Sequence, residues 1–164
     1  MPKKESWTGR VFEDFEAGDV YEHPIGRTVI TADNIWFTAI TMNPNPIHFD
    51  HVYAAQTDFG KPLVNSVFTL ALVTGLSVSD MSQNAVNLGW DAVRIPRPVF
   101  EGDTVYARSV VTESRDSKSR PHQGIVGFNT EGYNQDGKTV LTFSRTMLVY
   151  KEGQVPKPGR IAGD

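Results

Sequence analysis

Apolar residues crowd one stretch of this chain more than any other. From near Asn65 to Met81, Val67, Phe68, Leu70, Ala71, Leu72, Val73, Leu76 and Val78 are separated only by small or hydroxyl residues, and no charge appears before Asp80. The spacing predicts a helix of about sixteen residues, about 24 Å long. A helix apolar nearly all round must be covered on most sides. After it the pattern changes to strand. Trp90 to Ile95, Asp103 to Ser114, Gly124 to Tyr133 and Lys138 to Tyr150 are rich in Val, Thr, Phe and Tyr, and Pro98, Gly102 and Asp136-Gly137 break them. In the last segment Leu141, Phe143, Met147 and Val149 share one face, which Arg145 interrupts.

Upstream, Gly26 to Thr31 reads as a strand entering a helix, with Thr31 as N-cap ahead of ADNIWFTAITM. A short helical segment, HFDHVYAA, begins at His48, and Phe59 to Pro62 (FGKP) punctuates the chain before the long helix. These elements predict an α+β fold, a curved antiparallel sheet folded around the central helix. One domain is expected over the 164 residues, with its core over about 11–150 and a mobile Pro/Gly-rich tail after Lys151.

Composition narrows function by exclusion. A net charge of −3 gives no footprint for nucleic acid or an anionic membrane. The absence of cysteine removes disulfides, thiolate nucleophiles and Cys-based zinc sites. The N-terminus lacks the apolar core of a signal peptide, and no apolar stretch is long enough to span a bilayer; a soluble cytoplasmic protein is expected.

The chemistry concentrates in Asn43 to Asp50, NPNPIHFD. Pro44 and Pro46 hold Asn43 and Asn45 in extended or turn geometry, so a stiff loop aims their amides. His48 follows at the mouth of a helix, placed to be presented rather than buried. Asn43 and Asn45 also suit Asx turns, and Asp50 suits a cap or brace. His23, His51 and His122 are isolated and carry no mechanism of their own. His48 and His51 could share a helical face, but no HExxH-like spacing or carboxylate cluster accompanies them, so no metal site is expected.

The order NPxH, FGKP, a buried helix and then PVFEGDTVYARSVV resembles the MaoC-like hot-dog hydratases and dehydratases, the family of (R)-specific enoyl-CoA hydratases. TMNPNPIHFD, FGKPLVNS and SKSRP resemble most the branch that hydrates mesaconyl-CoA and dehydrates β-methylmalyl-CoA. The resemblance covers roughly Val11 to Tyr150. It implies a hot-dog fold, a homodimer or larger assembly joined at sheet edges, and active sites at the subunit interface. It also implies an acyl-CoA substrate, with coenzyme A as part of that substrate and no cofactor.

The family motif is Asp, one variable residue, then Asn-Pro-Leu/Ile-His. Asn45, Pro46 and His48 match it, while Asn43 stands where the family has its Asp. The mechanism implied is that His48 acts as base toward a water oriented by Asn43 and returns the proton to Cα. If a carboxylate assists, Asp50 is nearest in sequence, and Asp58, Asp91 and Glu101 could reach only through the fold. Ser66, after Asn65, holds the position of the family's glycine, whose backbone N–H meets the thioester oxygen. Its side chain would narrow the pocket toward short, branched or polar acyl groups. Arg94, Arg97, Arg115 and Arg120 are candidates for a substrate carboxylate or the coenzyme A phosphates. Two alternatives stand beside this one: a hot-dog thioesterase, disfavoured because the central helix offers no carboxylate before Asp80, and a non-catalytic acyl-CoA or acyl-carrier binding protein, favoured by the missing family Asp.

Overall fold

The computed structural model describes residues 7–156. Its centre is one sheet built from β1 (Val20–Glu22), β2 (Arg27–Thr28), β3 (Ala85–Arg94), β4 (Thr104–Asp116), β5 (Gln123–Asn134) and β6 (Thr139–Tyr150). The strands run in the order β1-β4-β5-β6-β3, β2 also lies against β4, and every pairing is antiparallel. Strands β4, β5 and β6 fall where Val/Thr/aromatic alternation predicts them, whereas β3 begins at Ala85, five residues before the expected start at Trp90. Asp136-Gly137 closes the β5–β6 hairpin: Gly137 has φ +70, and Asn134 Oδ1 accepts the N–H groups of Asp136 and Lys138. Strand β1, which hydrogen-bonds to β4 and covers its edge, has no signal in the sequence pattern.

Three helices accompany the sheet: α1 (Thr31–Ile40), α2 (His51–Ala54) and α3 (Ser66–Leu76). Helix α3 lies on the inner face of the sheet. Val73 packs there with Val105, Ala107, Leu141 and Phe143, and each such fully buried aliphatic or aromatic side chain is worth roughly 1.5–3 kcal/mol. The approach is close enough that a Cβ on Gly132 of β5 would lie 2.5 Å from Val73. No helix among the described residues is long and apolar enough to cross a membrane.

Several expectations need correction. Helix α3 spans eleven residues and gives way at Ser77 to a wider turn over Val78–Ser82. There the Ser77 hydroxyl donates to the Thr74 carbonyl and accepts from Arg145 of β6. The helix is also not covered on most sides: Val67 is 58% exposed, and Ala71, Gly75 and Val78 face outward with it. Among the described residues the sheet covers one side and α1 another, where Phe37 meets Phe68 edge to face, and none covers the third. Thr31 is not an N-cap. Ile30 holds that position, Asp33 reaches back to its N–H at 3.0 Å, and the Thr31 hydroxyl donates to Glu101. Of HFDHVYAA only His51–Ala54 is α-helical. The expected C-terminal tail is described only to Pro156, and the rest lies outside the described residues.

A polar seam divides the core into two apolar clusters, one around Val73 and Phe143 and one around Phe128 and Met147. His23 sits in that seam with both ring nitrogens engaged, Nδ1 with Asp80 at 2.9 Å and Nε2 with Ser109 at 3.0 Å. Ser109 pairs in turn with Thr130. Arg145 is buried beside it. Its Nε donates to Asn87 and its Nη1 to Ser77, with no carboxylate partner among the described residues, and burial lowers its pKa. Chains of satisfied polar groups of this kind fix where the end of α3 docks.

Candidate active site

The loop that carries His48 begins with a strained helix end. Met42 has φ +53. The Met42 N–H returns to the Ala39 carbonyl and the Asn43 N–H to the Thr38 carbonyl, which is the Schellman arrangement that usually places glycine at the left-handed position. From there the prolines do what the sequence demands of them. Asn43 Oδ1 accepts the Asn45 N–H at 3.1 Å, and Asn45 Oδ1 accepts the Ile47 N–H at 3.2 Å, two successive Asx turns. Pro46–His48 forms a single 3-10 turn. Asp50 then caps α2, accepting the N–H groups of Val52 and Tyr53. Asn45 and Asp50 are thus committed to the backbone.

His48 itself differs from expectation. It is 8% exposed, held inward rather than presented. Its Nδ1 lies 2.8 Å from the Leu63 carbonyl. A carbonyl can only accept, so Nδ1 carries the proton and the neutral ring keeps its lone pair on Nε2. Leu63 also donates its N–H to the Ile47 carbonyl, closing a two-bond link between the His48 turn and the segment that leads into α3.

That segment delivers the helix start. Asn65 is the N-cap of α3, its Oδ1 accepting the Val67 N–H at 2.9 Å. The Ser66 N–H makes no hydrogen bond among the described residues. A free N–H at a helix N-terminus carries the positive end of the macrodipole and can receive a developing oxyanion. The structure therefore brings His48, Asn65 and Ser66 together through Leu63.

Asn34 completes the assembly and was not singled out by the sequence pattern. Fully buried on α1, it donates from Nδ2 to the carbonyls of His48 and Leu63 and accepts the Asn65 N–H on Oδ1. The sequence pattern gives no signal for it: Asn34 and Thr38 stand one turn apart and are both buried, while the apolar Ile35, Ile40 and Trp36, the last 69% exposed, point outward. The helix turns its polar stripe inward and its apolar stripe out.

Asn43 lines an open cleft of about 330 Å³ with Ile35, Thr38, Ala39, Met42, Pro44 and Phe49. His48 does not line it, and no hydrogen bond joins Asn43 to His48. The four arginines are not gathered at this site. Arg94 and Arg97 are exposed, donating to the Val93 and Thr139 carbonyls. Arg115 lies on the order of 35 Å further along β4 than Thr104 and pairs with Glu113, and Arg120 lies beyond that strand's end. The lysine or arginine closest to His48 along the chain is Lys61, whose Nζ lies 4.3 Å from the Phe100 ring centroid.

Comparison with known proteins gives this geometry a setting. The model of a family described as mesaconyl-CoA hydratase matches residues 3–162. A mesaconyl-CoA hydratase of Cereibacter sphaeroides is 33% identical over 144 residues, covering 87% of this chain and 42% of the relative. An (R)-specific enoyl-CoA hydratase of Aeromonas caviae is 31% identical over 107 residues, covering 65% of this chain and 75% of the relative. A solved Mycobacterium tuberculosis structure described as a double hotdog fold superposes with a TM-score of 0.81 at 25% identity, over 96% of this chain and 48% of that one. The architecture is the hot-dog fold. The chain spans less than half the length of the mesaconyl-CoA hydratases and β-methylmalyl-CoA dehydratase that it matches.

Proposed function

The chain belongs to the mesaconyl-CoA hydratase family, and from that premise we propose that it is a hydro-lyase, reversibly adding water across the double bond of a short, branched or dicarboxylic enoyl-CoA. One observation carries this reading: the His48 imidazole is pinned through Nδ1–H to the Leu63 carbonyl at 2.8 Å, three residues before the unengaged N–H that opens α3. A base and an oxyanion donor are then held by one short segment.

In this scheme Nε2 of His48 takes a proton from water as the water oxygen bonds to Cβ. The π electrons of the double bond move toward the thioester, whose oxygen becomes an enolate held by the Ser66 N–H. Collapse of the enolate takes the same proton from Nε2 to Cα, so water is added across one face and the ring returns to its starting state. General acid/base transfer of this kind contributes typically about 10²- to 10⁴-fold, and one oxyanion donor about 10²- to 10³-fold. With its Oδ1 already accepting from Asn45, Asn43 has its NH₂ left to donate to the oxygen of the attacking water. It orients; it takes no proton. The scheme calls for no metal or cofactor, and coenzyme A enters with the substrate.

The serine at position 66, standing where the family resemblance places glycine, favours a compact acyl group. Assembly as at least a dimer is part of the same proposal. The β3 edge is unpaired among the described residues, Val86, Leu88 and Trp90 along it are exposed, and the apolar stripes of α1 and α3 face outward.

Incubating the protein with crotonyl-CoA and mesaconyl-CoA tests the reading. Hydration removes the enoyl-thioester absorbance without releasing thiol. Release of free coenzyme A would identify a thioesterase, and binding with neither change would identify a carrier or binding protein.

A further inference from the structure

Both N–H groups and the carbonyl oxygen of the Asn34 side chain are all used, on backbone of the His48 turn and of the 63–65 segment. Nδ2 donates to the His48 carbonyl at 2.7 Å and to the Leu63 carbonyl at 3.2 Å, and Oδ1 accepts the Asn65 N–H at 2.9 Å. Only one orientation of the amide works. Flipped, it would set an oxygen against two carbonyls and an NH₂ against an N–H. The side chain is 0% exposed, so water cannot substitute for any of these partners.

The Leu63 carbonyl is the shared point. It accepts the Nδ1–H of His48 at 2.8 Å and the Asn34 amide together, and its lone pairs are thereby full. We propose that Asn34 is a positioning residue for the reaction. It aims the carbonyl that fixes the His48 tautomer, and through Asn65 it sets the start of α3 against the same ring, so that Nε2 and the Ser66 N–H address one acyl group. This rests on the hydratase reading above. Alternative residues cannot do the same work: aspartate supplies the acceptor for Asn65 but turns an oxygen toward two carbonyls, and leucine supplies volume but no bond.

Asn34→Leu and Asn34→Asp are compared with the unmodified protein and with His48→Ala, each checked for folding by circular dichroism. Turnover of an enoyl-CoA is measured as kcat and KM, and the His48 tautomer is read from its imidazole ¹⁵N shifts. In the unmodified protein the Nδ1–H form should dominate. In the Asn34 variants kcat should fall about 10- to 100-fold, the cost of a small misplacement of reacting groups, KM should move far less, and the tautomers should mix. A folded variant with kcat within about threefold of the unmodified protein and an unchanged tautomer would overturn the proposal. So would a dominant Nε2–H form in the unmodified protein, which is read even if neither variant folds. If His48→Ala also keeps full turnover, the failure belongs to the hydratase reading; if His48→Ala is inactive and Asn34→Leu is normal, only the role of Asn34 falls.

Discussion

His48 Nδ1 lies 2.8 Å from the Leu63 carbonyl oxygen, and from that contact the chemistry of the ring follows. The carbonyl cannot donate, so the proton resides on Nδ1 and the basic lone pair on Nε2. Because Leu63 leads within three residues into α3, the same contact sets the distance between the base and the helix N-terminus. The backbone thus couples the two groups that hydration requires, without a carboxylate at position 43.

Asn43 stands where the family resemblance implies an aspartate. Asn43→Asp keeps the acceptor that the Asn45 N–H uses and adds a group that can take a proton. Activity on a simple enoyl-CoA should be retained or should rise, measured as kcat/KM. Complete loss with the fold preserved would mean that the amide NH₂ itself is required.

Met42 is held at φ +53 and is 88% exposed. Relief of a left-handed side chain is worth about 1–2 kcal/mol, and the added freedom of glycine in the unfolded chain removes roughly 0.5–1 kcal/mol of that. Met42→Gly should therefore stabilise slightly, raising Tm by about 1–3 °C. A lower Tm would show that the Met42 side chain contributes packing that its exposure hides.

The Asp33 carboxyl is held below its ordinary pKa, chiefly by the hydrogen bond from Arg27 and against the opposing effect of burial, in a bidentate pair at 2.8 Å. A depressed folded pKa means that the unfolded chain binds more protons, so this stabilisation is fully present above the ordinary carboxylate pKa and is lost as pH falls through the folded value. Asp33→Asn should lower Tm at neutral pH, with the difference shrinking in acid. A Tm difference independent of pH would assign the effect to the Ile30 cap alone.

Gly132 faces Val73 at a distance that leaves no room for a methyl group. Gly132→Ala should cost on the order of 1–3 kcal/mol through overpacking, read by denaturant unfolding. Val73→Ala in the same chain should recover part of that loss, since the two changes share one contact.

Much of this fold is legible because its strands alternate cleanly and its caps are local. Asn65 ahead of α3, Asp50 ahead of α2 and Gly137 in the hairpin each satisfy backbone groups within a few residues. What stayed hidden depends on distance in sequence. Asn34 bonds to partners 14 and 29 residues away, and its helix inverts the usual rule by burying polar residues beside the site. Burial of His48 was equally invisible, because the proline-stiffened turn says where the loop bends but not that Leu63 returns beneath it. The end of α3 at Ser77 rests on Arg145, on the last strand. Local pattern cannot carry such information.

The central claim is that the His48 ring moves the proton, and the most direct measurement is the turnover of His48→Ala on an enoyl-CoA that the unmodified protein hydrates. With circular dichroism unchanged, kcat should fall by at least about 10²-fold. A folded variant that still hydrates the substrate within about threefold of the unmodified rate would contradict it.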